Sequence, residues 1–211
     1  MEKLKRYIVF IIGMFVCAVG VVLVTKSDLG ASAVASIPYV LSLIFPVSMG
    51  KFTMAFGLTL VLLQLIILGR GFKAEYLLQI PIYIVFGSFI DLCEPLFAFV
   101  APQSYIAKFI VMLLGCVIIA VSVYLEVIAD VAMLPAESFV RAVVKRWGTE
   151  FGVTKICFDV SISLIAAALS LICLGQLRGV REGTLVAAVF IGWVTRQLKK
   201  LFRGMPEKLF K

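Results

Sequence analysis

Arg6–Asp28 reads RYIVFIIGMFVCAVGVVLVTKSD, and Lys108–Asp130 reads KFIVMLLGCVIIAVSVYLEVIAD. The two stretches lie 102 residues apart. Slid over one another without gaps, and extended to Leu68 and Ser170, they match at many apolar positions. They also match at Gly13/Gly115, Asp28/Asp130, Ser36/Ser138 and Gly50/Gly152. Matches among aliphatic residues are common between any two membrane helices; matches at glycine, serine and aspartate are not. The reading is a duplication within one membrane domain spanning 1–211, with repeats of about 6–100 and 108–200.

Composition agrees. Hydrophobic residues make up 63% of the 211 and charged residues 15%, against roughly 45–50% and 25% in soluble domains. So few charges do not coat a soluble globule of this size, and the apolar content excludes disorder. An all-α polytopic membrane protein is expected. Tyr7–Val24 is uncharged over 18 residues, longer than the roughly 7–15 residues of a secretory h-region, and reads as a retained helix. Further runs at Phe52–Leu68, Tyr76–Val100, Phe109–Leu125, Ile156–Leu174 and Leu185–Val194 approach the roughly 17–25 residues of a span. The last needs its flanks, Gly183–Leu198. Six spans result.

Two segments between spans fit neither loop nor lipid-facing helix. Leu29–Val47 holds Gly30, Ser32, Ser36, Pro38 and Pro46; Val131–Trp147 holds Pro135, Glu137, Ser138, Arg141, Lys145 and Arg146. Half-helices or re-entrant segments packed inside protein suit both. Each unit then makes three crossings. An odd number inverts the second copy, as in many secondary transporters. If the half-elements cross instead, eight spans and a parallel repeat follow. The cationic flanks do not decide, because either topology places five internal cations on each side. The even number sets both termini in the cytoplasm, where Lys3, Lys5 and Arg6 precede the first run and Arg196, Lys199, Lys200, Arg203, Lys208 and Lys211 follow the last. These ends account for nine of 20 basic residues, so the charge of +8 points to anionic lipid rather than nucleic acid.

The chain has no histidine, which removes Ser-His and Cys-His dyads and His-ligated metals. Cys17, Cys93, Cys116, Cys157 and Cys173 lie in apolar runs without C-x-x-C spacing and read as small buried hydrophobes, with no disulfide, metal or cofactor. No enzymatic motif is present. Asp28 and Asp130 precede the two half-elements and read as N-caps, able to present paired helix N-termini to one cavity. Charge within spans adds Asp91, whose neighbours Gly87–Leu92 carry no cation, Glu126 four residues before Asp130, and the i,i+4 pairs Glu137/Arg141 and Lys155/Asp159. Glu137, two residues after Pro135, is expected to be buried and therefore paired or protonated, with Arg141 as the local partner and Lys155 as the distant one.

Thr25–Leu41 (TKSDLGASAVASIPYVL), Met49–Leu68 (MGKFTMAFGLTLVLLQLIIL), Phe86–Leu96 (FGSFIDLCEPL), Val127–Val143 (VIADVAMLPAESFVRAV), Val153–Ala167 (VTKICFDVSISLIAA) and Gly179–Trp193 (GVREGTLVAAVFIGW) together resemble the YczE/YyaS/YitT group of bacterial membrane proteins. Ala33 stands where that group's turn carries proline. The motif positions are Asp28, Gly30, Pro38, Asp91, Pro135, Glu137, Lys155, Asp159, Glu182, Gly183 and Thr184. The resemblance implies an inner-membrane transporter or exporter of an unknown small molecule. Its site would lie between Leu29–Pro38 and Asp130–Arg141, with Asp91 and Asp159 lining the approach and Glu137 coupling. A 23.1 kDa chain makes a thin wall around a pathway, which favours a homodimer. A rival class is a substrate-capture or accessory membrane subunit without its own transport cycle.

Overall fold

The computed structural model describes residues 2–202; the cations expected at Arg203, Lys208 and Lys211 lie outside them. Every regular element among the described residues is helical. In chain order they are α1 (Glu2–Lys26), α2 (Ala33–Ile44), α3 (Met49–Leu68), α4 (Gln79–Leu96), α5 (Tyr105–Ala129), α6 (Pro135–Trp147), α7 (Phe151–Leu174) and α8 (Glu182–Leu201), with two short 3-10 turns between α3 and α4. Adding 102 to the starts of α1–α4 gives 104, 135, 151 and 181. The next four helices start at 105, 135, 151 and 182.

Local chemistry sets these bounds. Ser48 and Ser104 are extended N-caps whose hydroxyls accept from the backbone N–H of Lys51 and Ala107. Pro135 opens α6, where its missing N–H costs nothing. Gly148 and Gly175 close α6 and α7 in the left-handed region. With 12 and 13 residues, α2 and α6 are roughly 18–20 Å long, too short for about 30 Å of hydrocarbon.

Among the described residues five helical segments are long and apolar enough to span: Glu2–Lys26, Met49–Gly71, Ala74–Leu96, Tyr105–Ala129 and Phe151–Leu174. The third expected span stops at Leu96 rather than Val100, one residue beyond Pro95. The sixth is the 20-residue α8, which is long enough but carries Arg196, Lys199 and Lys200 in its second half.

The chain forms two compact units, each drawing on both halves of the sequence. One comprises the chain up to Ser32, Leu92–Val131 and the chain from Arg181; the other comprises Ala33–Asp91 and Ala132–Val180. In the first, α1 and α5 pack antiparallel: Gly13 lies against Leu125 and Glu126, and Gly20 against Gly115 and Ile119. A Cβ on either Gly20 or Gly115 would come within 2.9 Å of the other's carbonyl oxygen, so the two backbones approach as only glycine permits. Helix α8 runs parallel to α5. Gly183 meets Met112, Thr195 Oγ1 donates to the Ala120 carbonyl, and the Tyr124 hydroxyl donates to the Phe202 carbonyl at 3.0 Å.

In the second unit, α3 and the part of α4 up to Asp91 form an antiparallel hairpin. Gly50 faces Gly87, and the Tyr83 ring fills the notch over Gly57; a Cβ on Gly50 or Gly57 would overlap those neighbours. The two half-length helices use the same supports, since α2 packs on α3 and α7, and so does α6. Pro38 is buried inside α2 and removes one donor from its ladder.

Candidate functional site

The most enclosed polar constellation lies where α6 begins. Gln64 of α3, Gln79 of α4 and Ser138 of α6 are all buried. The Gln64 amide nitrogen donates to the Gln79 amide oxygen at 3.2 Å and to the Pro135 carbonyl at 3.3 Å. Gln79 returns a bond to the Gln64 oxygen at 3.3 Å and donates to Ser138 Oγ at 2.9 Å. Ser138 closes the ring by donating to the Gln64 oxygen at 2.8 Å. In an apolar surround every such group needs a partner, and this ring supplies them from three helices. It pins the first turn of α6 to the α3/α4 hairpin. Ser138 and Pro135 were expected at a site; the two glutamines were not.

Asp91 is held at the opposite end of the same hairpin. Its Oδ1 accepts from the Gly50 backbone N–H and its Oδ2 from the Ser48 hydroxyl, both at 2.8 Å. The carboxylate thus caps the positive end of α3 from the neighbouring helix. The missing cation is replaced by a helix N-terminus and a hydroxyl.

On α6 the expectation for Glu137 fails. The buried residues of that helix are Pro135, Ala136, Ser138, Val140 and Ala142, and Glu137 points outward. Arg141 is also exposed, and its guanidinium lies 5.9 Å from the Phe151 ring centroid. Neither residue needs a buried partner. The other expected pair forms: Lys155 Nζ bonds Asp159 Oδ1 along α7, with Lys155 5.5 Å from the Phe158 ring centroid. Cys157 and Cys173 are exposed on α7 rather than buried; Cys17, Cys93 and Cys116 are buried, and all five are free thiols.

The N-cap reading of Asp28 and Asp130 is also corrected. Both adopt left-handed backbone, φ 56° and 49°, the only non-glycine residues among those described to do so. They close the preceding helices: Asp130 is the C-cap of α5, and Asp28 sits in the turn after α1. Each then leaves four residues before the next helix, too many for a capping side chain. Asp28 is exposed, bonds Lys108 Nζ at 2.8 Å and offers its carbonyl to Arg181 at 3.1 Å. Gly30, at φ 122°, leaves no room for a Cβ beside Thr184. Ser36 is buried and donates to the Ala33 carbonyl at 2.6 Å, while Ser32 is partly exposed. Glu126 is partly buried, with its Cγ against Gly13.

A model of a family of unknown function, DUF6198, matches residues 4–200. The chain belongs to this family. The match takes in all eight helices of this DUF6198 member except the first two residues of α1 and the last of α8. No curated protein matches the chain. No solved structure matches it either. The DUF6198 assignment gives kinship without chemistry.

Proposed function

We propose that this protein is a carrier of the secondary-transporter type in the bacterial cytoplasmic membrane, moving a small molecule and belonging with the YczE/YyaS/YitT group that its motifs resemble. In this reading α1, α3, α4, α5, α7 and α8 cross, α2 and α6 are re-entrant, and the second half is an inverted copy of the first. Both termini face the cytoplasm.

Helix direction carries the reading. The repeat partners α1 and α5 are antiparallel. If both cross, an even number of crossings separates them: α3 and α4 satisfy this, whereas adding α2 would turn α5 parallel to α1. Helices α5 and α8 are parallel, so an odd number of crossings separates them: α7 alone satisfies this, and adding α6 would reverse α8. Two independent packing relations thus favour half-helices that turn back. Short inverted half-helices beside polar side chains are the plan on which secondary transporters build a midplane site.

The test is gradient-driven flux. Protein reconstituted in liposomes with a proton or sodium gradient should accumulate at least one compound from a metabolite mixture, and protein-free liposomes should not. Tight binding without accumulation would replace the carrier by a substrate-capture subunit. Neither binding nor flux would sink both.

A further inference from the structure

We propose that the seam of α7 around Lys155 is a binding site for a small carboxylate anion, with Asp159 as the resting counter-ion that the ligand displaces. Within the carrier reading, on which this part rests, the site names the class of substrate.

Asp159, Ile162, Ala166 and Ser170 recur at intervals of three and four residues, so they share one side of α7. The last three are buried. That side faces protein, and the Lys155–Asp159 pair continues it toward the helix N-terminus. There the seam opens, leaving the two side chains 28% and 29% exposed. Charges inside spans that face protein rather than lipid mark substrate or ion pathways.

The other half supplies the comparison. The positions 102 residues before Lys155 and Asp159 are Thr53 and Gly57 of α3. Both are buried, with the Tyr83 ring closed over Gly57. The residue 102 positions after Tyr83 is Leu185, which is 75% exposed. Where α3 buries this pair of positions, α7 carries a part-exposed ion pair.

Surrounding charge selects the ligand. Of the helices packed against α7, α2 carries no charged residue and only the phenol of Tyr39, and α6 carries Glu137 against Arg141, Lys145 and Arg146. Glu150 lies at the α7 N-cap. The balance favours an anion. The group now on Lys155 is itself a carboxylate, so the geometry already accepts one. The Phe139 and Phe158 rings, 5.2 Å apart beside Lys155, offer apolar surface for the rest of the molecule. A purely structural pair here would gain little over two apolar residues, because desolvation offsets its attraction.

Thermal unfolding of the purified full-length protein tests this, using acetate, lactate, succinate and benzoate, each against its uncharged amide. At least one acid should raise the melting temperature while its amide does not. Asp159→Asn removes the competing carboxylate and should lower the half-saturating concentration about fivefold, the worth of a partly exposed pair. Lys155→Gln should abolish the response, and Lys155→Arg should keep it. The double variant Lys155→Gln/Asp159→Asn, which leaves no orphan charge, should fold and still fail to respond. The site is refuted if no acid stabilises the parent, if Lys155→Gln still responds, or if Asp159→Asn weakens binding. Binding without flux in liposomes would keep the site and sink the carrier; flux untouched by Lys155→Gln would do the reverse.

Discussion

Lys108, at the start of α5, bonds Asp28, in the left-handed turn that ends α1. The residue 102 positions before Lys108 is Arg6, and its guanidinium reaches the carbonyl of Ala129, next to Asp130, the residue 102 positions after Asp28. A cation at the start of each long helix therefore clasps the turn that ends the other. Two antiparallel helices joined this way at both ends carry a local two-fold relation in their contacts as well as in their sequence.

The left-handed turns give a first prediction. Asp130→Gly should leave stability unchanged or raise it, because glycine occupies φ 49° without strain. Asp130→Ala should cost about 1–2 kcal/mol, since alanine keeps the Cβ clash and loses the short polar side chain that eases it. At Asp28 the change to asparagine should lose at most about 1 kcal/mol, because the Asp28 side chain of the pair with Lys108 is 53% exposed. Thermal unfolding in detergent reads all three.

Gly50 and Gly152, 102 residues apart, should respond differently. A Cβ on Gly50 would strike the Gly87 carbonyl and the Asp91 carboxylate, whereas at Gly152 the nearest atom is a Glu150 oxygen at 3.7 Å. Gly50→Ala should force α3 and α4 apart and depress folded yield. Gly152→Ala should be neutral. Equal behaviour of the two would contradict the packing described.

The amide ring on α6 should behave as a unit. Gln64→Leu leaves Gln79, Ser138 and the Pro135 carbonyl each short of a bond, at a cost of about 1–3 kcal/mol. The triple change Gln64→Leu/Gln79→Leu/Ser138→Ala removes the orphaned side-chain groups and should recover most of that loss. A triple variant less stable than the sum of the singles would show that the ring does more than satisfy itself.

The sequence set Val131–Trp147 and Leu29–Val47 apart from the long apolar runs, because the first joins Pro135 to charges that lipid rejects and the second is broken by glycine and proline; both hold short helices. It misdirected Asp28 and Asp130, since an aspartate before a helix ordinarily caps it. The cue to the contrary was the four-residue gap to Ala33 and to Pro135, and a left-handed turn seldom chooses aspartate over glycine. Glu137 was misplaced because one residue of shift on α6 moves a side chain by 100° from the buried seam. Gln64 and Gln79 carry no local signal, since each is a lone amide in an apolar run. Their equal distance from the Arg70–Lys73 turn was the available signal, because an antiparallel hairpin brings such positions together.

The inverted arrangement is tested most directly by the sidedness of two loops. In a chain whose five cysteines are replaced by alanine, Lys73→Cys and Gln103→Cys place single thiols after α3 and before α5. Intact cells are then treated with a membrane-impermeant maleimide. Gln103→Cys should be labelled, and Lys73→Cys should stay protected until the membrane is opened. Labelling at Lys73→Cys with protection at Gln103→Cys would mean that α2 crosses, that the halves are parallel, and that the inverted repeat is wrong.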